Sequence, residues 1–390
     1  MSLVNIISAI GNNSSIYPLI VRDCGIEVPS KVALTYRQNL KDSPEMAKNA
    51  TRERLIDEYT TSAVWLGGIP VINKLCDWGI EKAGFNPEIN AELYKERSNQ
   101  GIKFNIEKFK GKADKEVAEL EKALAKKSTY QKLFAGKFIL STAIPIALMG
   151  YIIPKLNFKL TESLRKNQKK TDEKKGQNVS FKGLTSVLAN MSTVNKMAVT
   201  DGGYAVGRVY TGRNKYEQLE MSFKMAGMMF LNFLAPIWIA NGLDKLSKIL
   251  FNTNVNLDPK LLNKGSELKN IEIPKENIIE FLDKNPESKF AKLCEEYCGV
   301  KYLKNRIRDP RAYVDEKKIE AFKKELQKFI SEANNSGNIE KYSKKALKVK
   351  SANIIANIGI SSFLLAFALP KATFWLREKV TGSKAEPGLM

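Results

Sequence analysis

Two Asp-x-Gly pairs are the residues of this sequence best suited to hold a ligand. Asp23 with Gly25 and Asp201 with Gly203 stand 178 positions apart in matching surroundings. Such a carboxylate can bind a cation, cap a helix or form a local Asx turn. We expect the turn, because a turn needs nothing beyond the local backbone.

Two arginines follow the pairs at matching places. Arg37 and Arg213 could each hold a phosphate head group through a bidentate hydrogen bond, or form a salt bridge with a carboxylate of the same region. The salt bridge is the expected role, and Asp23 and Asp201 are possible partners. These six positions are the candidate functional residues of the sequence.

The chemistry available to this chain is limited. It has no histidine, which excludes His-based triads, imidazole metal ligands and the usual proton shuttle. Its cysteines, Cys24, Cys76, Cys294 and Cys298, are too sparse for a disulfide framework. No glycine-rich phosphate loop or nucleophile elbow occurs. We expect no enzyme, no cofactor and no metal site.

The charge balance indicates an anionic partner. The 63 basic residues outnumber the 42 acidic ones, for a formal net charge of +21. Because apolar stretches are also present, anionic lipid head groups are the expected partner and nucleic acid is not.

Four apolar stretches must position these residues. Stretches 138–154, 225–243 and 351–370 contain 17, 19 and 20 residues without a charge. A membrane-spanning helix needs roughly 20. The fourth, 59–78, has only 15 uncharged residues before Lys74, and Trp78 suits the membrane interface. A buried helical core in a soluble protein is the alternative.

The chain carries an internal repeat. Residues 8–28 and 186–206 align without a gap, with ten similar pairs in 21 positions. The second and fourth stretches also end alike, since Pro154, Lys155, Phe158 and Leu160 match Pro370, Lys371, Phe374 and Leu376. We therefore predict a tandem duplication. Two spans per repeat would relate the halves by an axis along the membrane normal.

The predicted organisation follows from the repeat and the stretches. Its segments are a first repeat at 1–160 (a cap, a span at about 59–78, a soluble helical region and a span at about 138–154), a basic linker at 161–182, a second repeat at 183–376 (a cap, a span at about 225–243, a soluble insert at 244–350 and a span at about 351–370) and a loose tail at 377–390. The fold class is all-α, a helical integral membrane protein with about four spans plus amphipathic helices.

Two amphipathic helices are predicted in the soluble parts. Val117, Leu120 and Leu124 recur at helical spacing, and Asp315 is placed to cap a helix over 315–332. The apolar stripe of the second helix is formed by Ile319, Phe322, Leu326, Phe329 and Ile330.

Two functions remain open from the sequence. The first is a non-enzymatic scaffold or organising protein of a cytoplasmic membrane, with basic soluble regions at the lipid surface. The alternative is a small transporter or lipid-handling channel formed between the two repeats. A polar cavity lined by Asn232 and Asn357 would favour transport, and a dry bundle would favour the scaffold.

Orientation and self-association are less constrained. Lysine and arginine are nearly equal in number on the two sides of the stretches, which does not assign an orientation and also fits stretches that enter the bilayer and return. Ala352, Ala356 and Gly359 form a small-residue face that suits close helix packing, and hence a homo-oligomer.

Overall fold

Helices form nearly all of the regular structure. The computed structural model describes residues 20–166, 193–274 and 277–389, and no β-strand occurs among them. The α-helices, numbered in chain order, are α1 Val28–Asn39, α2 Pro44–Ala63, α3 Ile69–Lys82, α4 Ile102–Phe109, α5 Asp114–Ala125, α6 Lys127–Ala147, α7 Ile153–Lys166, α8 Thr193–Tyr210, α9 Lys215–Phe233, α10 Ala235–Phe251, α11 Pro259–Asn263, α12 Ile278–Lys284, α13 Lys289–Leu293, α14 Glu316–Asn335, α15 Ile339–Phe363 and α16 Leu369–Thr381. The predicted all-α class is confirmed.

Three helical runs are long and apolar enough to cross a membrane. They are Lys127–Leu164, Lys215–Phe251 and Ile339–Thr381, and they contain the predicted stretches 138–154, 225–243 and 351–370. Only 28%, 17% and 28% of their most apolar windows is buried within the protein. Most of that surface therefore faces outward, where lipid would cover apolar groups that water would not.

The fourth predicted stretch, 59–78, is helical but is not among these three runs. It lies at the end of α2, in the π-helical segment Val64–Gly68 and in α3. Gly67, Gly68 and several hydroxyl side chains lower its hydropathy, and 15 uncharged residues make about 22 Å of helix against a hydrocarbon core of about 30 Å. Four spans remain a prediction.

Three π-helical segments each precede a proline. Val64–Gly68, Leu148–Ile152 and Leu364–Ala368 end directly before the dipeptides Ile69-Pro70, Ile153-Pro154 and Leu369-Pro370. Proline has no N–H to donate to the preceding turn, and a wider turn accommodates the missing bond. The second and fourth stretches thus end in the same local geometry. The duplication itself is not established by this, since 8–19 and 186–192 lie outside the described residues.

The chain divides into two compact units. Unit 1 contains Leu75–Phe138 and Asp244–Ala352, and unit 2 contains the described parts of 9–74, 139–243 and 353–390. In unit 1 the segments 75–138 and 244–352 fold together. Gln100 and Val314 exchange two hydrogen bonds of 2.8 and 3.0 Å. Asn105 donates to the Pro310 carbonyl at 2.7 Å.

The amphipathic helices predicted in unit 1 are confirmed. The side chain of Asp315 accepts a hydrogen bond from the Lys318 N–H at 3.2 Å and caps α14. Ile319, Leu326 and Phe329 are fully buried in its core. Val117 and Leu120 of α5 are buried as well. The spacing argument succeeds here because one face of each helix meets a protein core.

In unit 2, the ends of several predicted segments differ from expectation. α7 runs on to Lys166, so the predicted linker begins inside a helix, and 167–182 lies outside the described residues. The tail is not loose, since α16 continues to Thr381 and Leu389 is only 2% exposed. Glu386 explains this order, because its carboxylate lies 3.1 Å from the guanidinium of Arg377.

Candidate functional site

Unit 2 contains a cavity of about 190 Å³ that is lined by both polar and apolar residues. Its polar lining residues are Arg22, Asp23, Glu27, Glu58, Thr61, Ser62, Asp201, Tyr204 and Asn232, and its apolar ones are Val28, Trp65, Leu66, Ala205, Met225, Met228, Met229 and Phe233. Residues 22–66 and 201–233 both contribute, so the cavity lies between the two sequence halves.

Asp201 is the carboxylate of this cavity that has no cationic partner. Its Oδ1 accepts a hydrogen bond from the indole Nε1 of Trp65 at 3.1 Å. Within the described parts of the chain, no lysine or arginine forms an ion pair with it. Burial raises the pKa of the Asp201 carboxyl, and the Trp65 hydrogen bond offsets only part of that shift. The group is thus suited to take a proton or a cation.

Close helix packing fixes Asp201 in place. A Cβ atom on Gly203 would lie 2.4 Å from Cδ1 of Ile146, and one on Gly207 would lie 3.0 Å from Cα of Gly150. α8 can therefore approach the apolar run Lys127–Leu164 only because these positions carry no side chain. Gly203 serves this packing.

The Asx-turn interpretation of the two pairs is wrong. Asp201 lies inside α8, and Asp23 lies in the π-helical segment Ile20–Glu27. Asp23 pairs with its neighbour Arg22 at 2.7 Å. A Cβ on Gly25 would meet no atom within 4 Å, unlike one on Gly203. The two pairs are therefore not equivalent in the folded protein.

The arginines also differ from each other. Arg213 forms the predicted salt bridge, with Glu53 at 3.1 Å and Glu217 at 2.9 Å rather than with Asp201. Its guanidinium also lies over the ring of Phe158, 4.1 Å from the centroid. Arg37 is exposed on α1. The structure thus places Asp23 and Asp201 in one cavity and leaves Arg37 and Arg213 outside its lining.

Asn232 and Asn357, the two asparagines expected to line a polar cavity, also lie in different environments. Asn232 lines the cavity, and its Oδ1 is buried without a hydrogen-bond partner among the described residues. Asn357 is not a lining residue, and its Oδ1 accepts a hydrogen bond from Ser361 at 3.2 Å. Of the two asparagines expected to line a polar cavity, Asn232 does so and Asn357 does not.

A group of buried charges borders the cavity at Glu27 and Glu58. We call it the ion-pair cluster, and it contains Glu27, Lys31, Glu53, Arg54, Asp57, Glu58, Arg208, Arg213, Glu217, Glu220, Lys224, Arg377 and Glu386. Seven carboxylates face six cations in this set. Near-balance of charge is what permits so many ionised groups to be buried.

Glu58 is the branching point of the cluster. Its carboxylate lies 3.2 Å from Arg54, 3.3 Å from Lys224 and 3.4 Å from Lys31, and Lys31 also pairs with Glu27. Burial acts to raise the pKa of Glu58, but Lys31, Lys224 and Arg54 outweigh it and hold that pKa well below its usual range. Glu58 is therefore ionised and neutralised by its neighbours.

Trp65 was not among the residues that the sequence singles out, and of the ion-pair cluster only Arg213 was. Trp65 was visible only as an aromatic residue in an uncharged stretch, and nothing local predicts its hydrogen bond to Asp201. One signal was present. At the repeat offset of 178, Arg22 aligns with Thr200, so the cation beside Asp23 has no counterpart beside Asp201.

Comparison with known proteins adds no relative. The chain matches no protein-family model, no curated protein and no solved structure. The described residues also contain no group of three or more His, Cys, Asp or Glu side chains arranged to hold a metal ion. The site is therefore interpreted from its own geometry.

Proposed function

We propose that the protein is a small transporter of a cytoplasmic membrane, integral to the bilayer, that takes a solute into the cavity between its two halves. The observation that carries this proposal is Asp201, a half-buried carboxylate without a cationic partner among the described residues, which faces a cavity of about 190 Å³. Ionisable groups inside membrane proteins are costly, and they commonly mark substrate or ion pathways.

The predicted tandem duplication fits the same proposal. Many transporters consist of two repeats, with the substrate site at the interface between them. Here the first half contributes Arg22 to Leu66 and the second half contributes Asp201 to Phe233 to one cavity. Four spans, with 59–78 as the shortest, would complete two spans per half.

The ion-pair cluster supplies a polar route away from the cavity. Glu58 lines the cavity and also contacts Lys224 and Arg54. Those two residues in turn line a smaller cavity of about 40 Å³, which reaches Glu386 near the C terminus. Polar side chains along this line would lower the barrier for a charged solute.

Accessibility of the cavity to water tests the proposal. We would compare Met229→Cys with Phe230→Cys. Met229 lines the cavity, whereas Phe230 is 45% exposed on the outer surface of an apolar run, where lipid would cover it. The reagent is a charged, membrane-impermeant thiosulfonate, which needs a hydrated thiolate. Rapid reaction at position 229 and slow reaction at position 230 is expected, from both sides of sealed vesicles.

The native cysteines provide a suitable background for this assay. Cys294 and Cys298 are buried in unit 1 and can be retained, whereas the half-buried Cys24 and Cys76 are replaced by alanine. If Met229→Cys is not labelled from either side of the membrane, the solute cavity is contradicted and the scaffold function is favoured instead.

A scaffold function is the second candidate. Unit 1 favours it, because the segments 75–138 and 244–352 form one folded body rather than short loops, with Leu303 and Ile307 packed against Phe109, Ala113 and Val117. These segments are basic and would attract anionic lipid. Flotation with vesicles that contain or lack phosphatidylserine measures this attraction, and equal flotation with both would contradict it.

Self-association through α15 also remains a proposal. Gly359 is exposed, and a Cβ there would meet no atom within 4 Å. The face formed with Ala352 and Ala356 is thus open to a second copy in the bilayer.

A further inference from the structure

We propose that the ligand of the cavity is a small organic cation, an amine or quaternary ammonium group on a compact apolar body. The cationic group would lie at the Asp201 carboxylate and the apolar body against Trp65, Met228, Met229 and Phe233. This inference rests on the proposed function, since it names the class of solute that enters the same cavity.

The charge of the ligand follows from the pairing of the lining residues. Three of the four carboxylates in the lining are already neutralised, Asp23 by Arg22, Glu27 by Lys31, and Glu58 by Lys31, Arg54 and Lys224. Asp201 is the fourth. Arg22 is occupied by Asp23, so an anionic ligand would find no unpaired cation in this lining. One positive charge on the ligand balances the site.

The size and the lining of the cavity suit an organic cation better than a bare metal ion. Liquid water takes about 30 Å³ per molecule, so the space corresponds to roughly six waters. A hard cation would require several oxygen ligands around it. Much of this wall instead carries carbon and sulfur atoms from Met225, Met228, Met229, Leu66 and Phe233. An organic body is needed to fill that side.

The apolar wall has the composition that recognises ammonium groups. Trp65 is oriented by its own hydrogen bond to Asp201, which brings an aromatic ring beside the carboxylate. Ring faces attract cations, and ammonium ligands are commonly held by aromatic side chains. Methionine side chains adapt to differently shaped partners. We therefore expect several compact ammonium compounds to bind rather than one alone.

Asn232 gives the ligand a second polar contact. Its Oδ1 is a buried acceptor without a partner among the described residues, and the side chain lines the same cavity. An N–H or O–H of the ligand would satisfy this atom, and a buried acceptor left unsatisfied is destabilising. A ligand with a donor beside its charge, such as a primary amine or an amino alcohol, is therefore favoured.

A matched pair of probes tests the inference on the full-length protein in a neutral maltoside detergent. Choline is the cationic probe, and dimethylbutanol is its uncharged carbon analogue with the same shape. Binding is measured by calorimetry. Choline is expected to bind about tenfold or more tightly than dimethylbutanol. Equal binding of both, or no choline binding at millimolar concentration, would overturn the inference.

Two variants locate the bound cation. Asp201→Asn keeps the shape of the side chain and removes its charge, and choline affinity should fall about tenfold or more. Asp42→Asn is the control, because that exposed carboxylate lies outside the cavity lining. A choline affinity unchanged in Asp201→Asn, or lowered equally in both variants, would count against the site.

The two proposals fail in different ways. If position 229 reacts with the thiosulfonate but choline and dimethylbutanol bind alike, the solute cavity stands and its assignment to organic cations is wrong. If position 229 does not react, the solute cavity itself is wrong. Protection of Met229→Cys by choline, but not by dimethylbutanol, would support both.

Discussion

The replacement of Arg377 by methionine tests whether the ion-pair cluster stabilises unit 2. The Arg377 side chain is 0% exposed, and its guanidinium contacts Glu220 at 2.6 and 2.8 Å and Glu386 at 3.1 Å. Methionine preserves most of the apolar stem but leaves the carboxylates of Glu220 and Glu386 without this cation. Removing one partner of a buried ion pair costs about 3–5 kcal/mol. At about 2–4 °C per kcal/mol for a unit of roughly 200 residues, Tm should fall on the order of 10 °C.

The assay is thermal unfolding of the purified protein in detergent, with two comparisons. Lys344→Met removes a partner of the exposed pair with Glu340 and should leave Tm nearly unchanged. The double variant Arg377→Met/Glu220→Met removes a stranded carboxylate as well and should recover part of the loss. A Tm for Arg377→Met no lower than that for Lys344→Met would refute the reasoning.

Three further outcomes are expected. The protein should stay with the membrane in an alkaline carbonate wash, because three runs of the chain are long and apolar enough to span it. Gly203→Leu should lower the free energy of unfolding by about 1–3 kcal/mol in a thermal or denaturant assay, because the new side chain would collide with Ile146. Choline affinity, measured by calorimetry, should fall as the pH decreases through about 6, because the raised pKa of Asp201 lets a proton compete there.

Each of these outcomes has a control. Release into the soluble fraction would contradict the first. Gly25→Leu should be nearly neutral, since that position is open, and an equal loss in both glycine variants would contradict the second. For the third, Arg22, Asp23, Glu27 and Glu58 also face the cavity. Glu58 keeps its charge near pH 6, because its cationic neighbours hold its pKa well below the usual range. Asp201→Asn should remove the pH dependence.

Asp201 also makes the stability of the folded protein depend on pH. Its pKa is raised from 3.8 to about 6 in the folded protein. Between these values the folded state binds the proton more strongly than the unfolded chain does, so the contribution of this group to stability decreases as the pH rises. A bound ammonium ion would offset that loss above pH 6.

Periodicity and composition predicted the parts of the fold that depend on one helix at a time. The stripe from Ile319 to Ile330 and the Asp315 cap could be read because both are local. The three apolar runs were equally visible, since their length and lack of charge are properties of single segments. The stretch 59–78 was harder to assign as a span, because its glycines and hydroxyl groups lower its mean hydropathy and its uncharged part is short.

The candidate site could be predicted only in part. Asp201 was found, but its partner was not, because Trp65 lies 136 positions away and no local rule joins them. The Asp-x-Gly signature misled for a physical reason. A glycine beside an aspartate suits a turn, yet the same small residue allows two helices to approach closely, as Gly203 does against Ile146.

The ion-pair cluster shows a second limit of local reasoning. Glu58 is one of 42 acidic residues, and its contacts with Lys31 and Lys224 join three separate helices. Charged residues are usually on the surface, so composition alone assigns them to solvent. Their burial here follows from the tertiary structure, which balances carboxylates and cations around each other.

The difference between Arg22 and Thr200 accounts for the unequal aspartates and yields a last prediction. If both halves descend from one unit, Asp23 and Asp201 began alike, and only Asp23 now has a cation beside it. Arg22→Thr would restore the symmetry and leave Asp23 unpaired in the same cavity. Calorimetry should then show a doubly charged diamine binding about tenfold or more tightly than to the unmodified protein, since a second carboxylate faces it. Asp23→Asn placed on Arg22→Thr should abolish the gain. Unchanged diamine affinity in Arg22→Thr would mean that Arg22 does not neutralise Asp23, and the argument from charge balance would fail with it.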